Sequence, residues 1–132
     1  VFVAGRQGSL AWLSLQSCPN FTAEGLTQLA SFQRLRYLDL SETSVQSVRC
    51  LQACTALCTL RLSGCEQLQH SALAGLGALP NLARLDLRRS CEALTPSALR
   101  VLWSVSSEAF PFTSTFILTY PGSRLHADDP TY

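Results

Sequence analysis

Lysine and methionine are absent from this 132-residue chain, and all ten basic residues are arginine. Charge of either sign is sparse: 14% of residues are charged and the formal net charge is +1. That balance supplies no long-range field to attract nucleic acid or an acidic partner, so any electrostatic argument has to be local. Long apolar runs are missing too, because polar residues interrupt the leucines every two or three positions. A membrane-spanning helix needs about 18 or more consecutive apolar residues, and the sequence is therefore read as not membrane-inserted. Histidine occurs only as His70 and His126, and neither falls in a nucleophile, metalloprotease or phosphate-loop pattern. The chain opens at Val1 without a basic, apolar, small-residue leader pattern, and the lack of methionine points to a removed leader or a piece of a longer protein.

What is present is leucine, at 24 residues, within a composition that is 47% apolar. Such a chain has the apolar surface to offset the entropy of ordering, so it is expected to fold. The leucines repeat. Leu10, Leu13 and Leu15 recur as Leu35, Leu38 and Leu40, as Leu57, Leu60 and Leu62, and as Leu82, Leu85 and Leu87, so that four copies of Leu-x-x-Leu-x-Leu begin 25, 22 and 25 residues apart. Downstream, Cys18, Phe21, Leu26, Leu29 and Phe32 of the first unit align with Cys65, Leu68, Leu73, Leu76 and Leu79 of the third, and the fourth continues as Leu94, Leu99, Leu102 and Val105.

Each unit reads as a short strand, a turn, a helical stretch and a return. Residues two apart share one face of a strand, so Leu13 and Leu15 and their equivalents point the same way. Beyond the turn the apolar spacing becomes three, which suits one side of a helix or 3₁₀ segment. Thr95-Pro96 and Ser71 supply helix-start signals, and Gly75 and Gly77 predict a short third helix. The second unit is compact, with Val45, Val48, Leu51 and Cys54, and a loop or 3₁₀ turn is expected there.

This pattern resembles the leucine-rich repeat family over residues 10 to 105, with units similar to the cysteine-containing subtype around "LxxLxLxxC…FTAEGLTQLA" and one, "LRYLDLSETSVQSVRCLQACTA", closer to a short LxLSxTxV subtype. The resemblance implies an α/β fold: a curved solenoid with a parallel sheet on its concave face and helices, 3₁₀ turns or loops on its convex side. Residues 1–9 are then the end of a preceding repeat or an edge, residues 10–109 carry four repeats starting at 10, 35, 57 and 82, and residues 110–132 form a cap strand near Thr115 to Tyr120 with a polar tail. One unit cannot bury its own apolar face, whereas stacked units share a continuous core.

Six cysteines raise the possibilities of disulfides, zinc or a nucleophile. In the repeat register Cys18 and Cys65 stand at a turn position that holds Thr43 and Ser90 in the other units, where small polar groups bond the backbone of neighbouring units; Cys54 replaces a core leucine. Cys50, Cys54, Cys58 and Cys65 lie within 16 residues but diverge in that register, and no CxxC turn gathers ligands, so no metal, cofactor or catalytic residue is expected. Unpaired thiols suggest a reducing, intracellular compartment, the cytoplasm first.

The outward residues of the concave sheet form three rows: Trp12, Tyr37, Thr59 and Arg84; Ser14, Asp39, Arg61 and Asp86; and Gln16, Ser41, Ser63 and Arg88. Asp39, Arg61 and Asp86 alternate in sign, as expected of a solvated, self-neutralising row worth under about 1 kcal/mol per pair. Trp12 and Tyr37 are either an interface hot spot or the seat of a preceding unit or cap. Arg84, Arg88 and Arg89 form a small basic cluster that Asp86 and Glu92 partly offset; nucleic acid would need a longer basic stripe. The expected function is a non-catalytic module that binds another protein through Trp12, Tyr37, Asp39, Arg61, Arg84, Asp86 and Arg88. Two alternatives are a structural subunit of a large assembly and, from the subtype resemblance, the substrate-recognition arm of a ubiquitin ligase.

Overall fold

The computed structural model describes residues 9–69, 71, 73, 76 and 79–90, together with a backbone strand at residues 117–119. Five three-residue strands form one parallel sheet in chain order: β1 (Trp12–Ser14), β2 (Tyr37–Asp39), β3 (Thr59–Arg61), β4 (Arg84–Asp86) and β5 (Ile117–Thr119). The architecture is α/β with an open sheet. Trp12 pairs with Tyr37, Tyr37 with Thr59 and Thr59 with Arg84, so the strand register reproduces the 25-, 22- and 25-residue spacing of the leucine motif. Arg84 pairs with Ile117, which puts β5 inside the segment read as a cap strand.

The backbone ladder runs past the strands. Leu15 N–H donates to the Asp39 carbonyl and Ser17 N–H to Ser41; Leu40 and Glu42 repeat this towards Arg61 and Ser63, and Leu62 and Gly64 towards Asp86 and Arg88, all at 2.8–2.9 Å. The turn residue following each of β1 to β4 takes a positive φ: Ser17 58°, Glu42 58°, Gly64 73° and Arg89 54°. A side chain in that left-handed region costs roughly 1 kcal/mol or more, and only the third unit avoids it with glycine.

Alternation along the strands buries the central leucines. Leu35, Leu38 and Leu40, Leu57, Leu60 and Leu62, and Leu85 and Leu87 are fully enclosed, each worth about 1.5–3 kcal/mol before entropy is subtracted. Leu10, Leu13 and Leu15 of the first unit are only partly covered. They line a hollow of about 660 Å³ with Phe21, Leu29 and Phe32 on the outer side of β1. Residues 1–8, which lead into β1, lie outside the described part.

Helix α1 (Ala23–Leu29) buries Leu26 and Leu29 and starts at Thr22, whose hydroxyl accepts the Gly25 N–H at 3.3 Å. Its neighbour in the second unit is a 3₁₀ helix, Arg49–Ala53, one of the two conformations expected there. Cys50 on that helix and Cys54 directly after it donate their thiols to the Leu26 and Leu29 carbonyls of α1, at 3.6 and 3.3 Å. Those carbonyls belong to the last turn of α1, and that of Leu29 also accepts the Phe32 N–H at 3.0 Å. Most of the third helical stretch and the fourth unit beyond Ser90, including His70, Gly75, Gly77, Cys91, Glu92, Thr95 and Pro96, lie outside the described residues, as do the cap apart from β5 and the tail with His126.

Candidate functional surface

Opposite the leucine core the sheet presents Trp12, Tyr37, Thr59 and Arg84 in one row and Ser14, Asp39, Arg61 and Asp86 in the next. Trp12 is 61% exposed, and its ring stacks on that of Tyr37 with centroids 5.0 Å apart and an interplanar angle of 8°. Strand pairing causes this: two aromatic residues at one register position lie about 4.8 Å apart, near the stacking distance of aromatic rings. The stack covers part of Tyr37, which is half-buried, while Trp12 stays open.

The second row departs from the sequence expectation. Asp39 and Asp86 are not solvated; each is only 3% exposed. Two local contacts close them in. Each carboxylate folds back to accept the N–H two residues on, from Ser41 at 2.9 Å and from Arg88 at 3.1 Å, and an arginine then lies over it. Arg61, on the strand between them, reaches both: its guanidinium is 3.6 Å from Asp39 Oδ2 and 3.6 Å from Asp86 Oδ2. Arg88 grips Asp86 bidentately, with Nε to Oδ1 at 2.9 Å and Nη2 to Oδ2 at 2.7 Å. Burial alone would raise the Asp86 pKa, but the Arg88 hydrogen bonds and the Arg88 and Arg61 charges outweigh it and hold the carboxyl below its ordinary value. The Tyr37 hydroxyl beside Arg61 raises the guanidinium pKa; partial burial works against this, and Asp39, Tyr37 and Asp86 add to the rise.

Ser41 and Ser63 of the third row are likewise buried. The Ser41 N–H closes the turn onto the Asp39 carboxylate, and the Ser41 hydroxyl has no hydrogen-bond partner among the described residues. The expected cluster of Arg84, Arg88 and Arg89 also divides. Arg88 is committed to Asp86, while Arg89 leaves the face and pairs with Glu42 at 3.6 Å across the intervening Gly64 unit. Glu42 further accepts the Ser17 hydroxyl at 2.6 Å. This Ser17–Glu42–Arg89 rung was missed by sequence reasoning, although the clue was there: a glycine between the two charged turn positions leaves room for one side chain to span the gap. Arg84 remains exposed on the face and makes no ion pair among the described residues. Tyr37, Thr59, Arg61, Arg84, Asp86 and Arg88 line a shallow groove of about 390 Å³.

The chain matches no family model and no curated protein sequence.

The five described cysteines are unpaired. Cys65 is buried and donates to the Leu40 carbonyl of the neighbouring unit at 3.1 Å, whereas Cys18 contacts only Gln16 in its own turn, at 3.8 Å. Thr43 and Ser90, expected to bond the backbone of neighbouring units, donate to the Leu40 and Leu87 carbonyls three residues back in their own turns, and the Thr43 hydroxyl also lies 3.8 Å from the Cys65 Sγ of the next unit. Burial raises the Cys65 and Cys50 thiols, and it pushes Cys54 up to about 11 with a smaller contribution from Cys50. A thiol held protonated is a poor nucleophile and metal ligand. Among the described residues no group of three or more His, Cys, Asp or Glu is placed to hold a metal ion, and no helix is long and apolar enough to cross a membrane.

Proposed function

We infer that this chain is a non-catalytic leucine-rich repeat module that binds another protein on the concave face of its sheet, in a reducing intracellular compartment. Support for the repeat reading comes from three-residue parallel strands in chain order, from register steps equal to the motif spacing, and from leucines enclosed at equivalent positions. The observation that carries the binding reading is the open Trp12–Tyr37 stack beside the groove of Arg61, Arg84 and Arg88. Large aromatic and arginine side chains are the types most enriched where interfaces concentrate their energy. The face offers little reactive chemistry: its two carboxylates are neutralised and Arg61 and Arg88 are engaged. That suits recognition, which needs shape and charge, better than proton transfer.

The test is affinity capture with the chain and with its Trp12→Ala/Tyr37→Ala variant. Partner binding is expected to weaken by about 2 kcal/mol or more while the variant remains folded. Partners recovered undiminished by the variant would remove this face from the function.

A further inference from the structure

Chemistry changes along the row that crosses four paired strands. Trp12 and Tyr37 make a flat apolar platform at one end, Thr59 places a half-buried residue with a hydroxyl in the middle, and Arg84 stands exposed at the other end. Register makes the four neighbours, at roughly 4.8 Å per strand, so Arg84 lies about 10 Å from Tyr37 along the row.

The cations of this face are unequal. Arg61 is shared between Asp39 and Asp86, and Arg88 is held by Asp86. Among the described residues this face carries three arginines against two carboxylates, and the exposed Arg84 is the arginine of the three for which no ion pair is found there. A guanidinium in this state matches a carboxylate in shape and charge. A polyanionic nucleic-acid backbone fits worse, since among the described residues it would meet two carboxylates on this face with Arg84 the cation left to offset its charge.

We propose that the segment bound on this face is an acidic protein segment, which sets a large apolar side chain against the Trp12–Tyr37 platform and an Asp or Glu carboxylate on Arg84. In an extended chain crossing the strands, about 10 Å corresponds to a separation of about three residues. This rests on the protein-binding reading and adds the partner's chemistry to it.

The experiment is selection of a random-peptide display library on the immobilised full chain. Enriched peptides are then titrated by fluorescence anisotropy against the wild type, Arg84→Glu and Trp12→Ala/Tyr37→Ala. The exposed position of Arg84 allows its variant to keep the wild-type melting temperature. Enriched peptides are expected to carry Asp or Glu about three positions from Trp, Phe or Leu. Arg84→Glu should weaken them by about tenfold or more, and a selection repeated on that variant should favour Lys or Arg. Peptides that need Trp12 and Tyr37 but show no acidic preference, or are indifferent to Arg84→Glu, overturn the proposal while leaving the protein-binding reading in place. No enrichment, or peptides indifferent to the loss of both aromatics, overturns both. A single-stranded RNA oligonucleotide bound as tightly as the best peptide overturns the proposal in favour of phosphate recognition.

Discussion

Arg88 donates two side-chain hydrogen bonds to Asp86, at 2.9 and 2.7 Å, and its own backbone N–H donates a third to the same carboxylate at 3.1 Å. One residue thus closes both the turn after β4 and the charge beneath it. Asp86 is held ionised because its folded pKa lies below its ordinary value. For a carboxylate lowered in this way, the stabilisation is fully present above the unfolded pKa and disappears as pH falls through the folded one. Asp86→Asn is expected to cost about 1–3 kcal/mol at neutral pH, and the difference from wild type should shrink below about pH 4. Urea denaturation of both proteins across that range measures it; a gap independent of pH would show that the ion pair is not its source.

Arg61 serves two buried carboxylates from a partly exposed position, its side chain being 37% accessible. Truncating it to alanine leaves Asp39 and Asp86 with less compensation. The expected loss is about 1–2 kcal/mol, above that of an ordinary surface pair and below that of a fully buried one. In the Asp39→Asn background Arg61→Ala should cost less, and strict additivity in this double-mutant cycle would contradict a direct coupling.

Thiol reactivity should follow burial. Cys54 and Cys65 are enclosed and their pKa values are raised, whereas Cys18 and Cys58 are partly exposed. With iodoacetamide near pH 8, Cys18 and Cys58 are expected to be alkylated first in the native protein, and Cys54 and Cys65 only after denaturation. Peptide mapping by mass spectrometry gives the order. Early labelling of Cys54 would mean that its bond to the Leu29 carbonyl opens readily.

Gly64 is the turn glycine with φ of 73°, and a Cβ added there would stand 3.1 Å from Cγ of Glu42. Gly64→Ala is expected to destabilise the protein by about 1 kcal/mol, from the left-handed backbone and from displacement of Glu42. Thermal melting would record this, and the Glu42–Arg89 pair should weaken with it. An unchanged melting temperature would mean that the neighbouring turn shifts freely.

Much of the strand arrangement was legible in the sequence because it depends on two short-range rules. Alternation decides which strand residues meet the core, and an equal offset in successive units decides which residues lie side by side; Trp12, Tyr37, Thr59 and Arg84 follow from these alone. The pairing of Arg61 with Asp39 and Asp86 along one row was legible too, but the partners of Arg88 and Arg89 were not. An arginine has several carboxylates within reach of its long stem, and only the packed arrangement selects among them. Arg89 paired with Glu42 two units away, while Arg88 turned back to Asp86.

The sequence by itself determined the spacing of the units, the enclosed leucines of the second, third and fourth strands and the alignment of Trp12 with Tyr37, since each needs only periodicity and burial of apolar surface. Tertiary structure decided that Asp39 and Asp86 are buried, that Cys50 and Cys54 bond the last turn of α1, and that Arg84 is the cation left open on the face. The thiol bonds join units 24 and 25 residues apart, and the carboxylates are closed in by the rotamers that Arg61 and Arg88 adopt, neither of which a periodic pattern encodes.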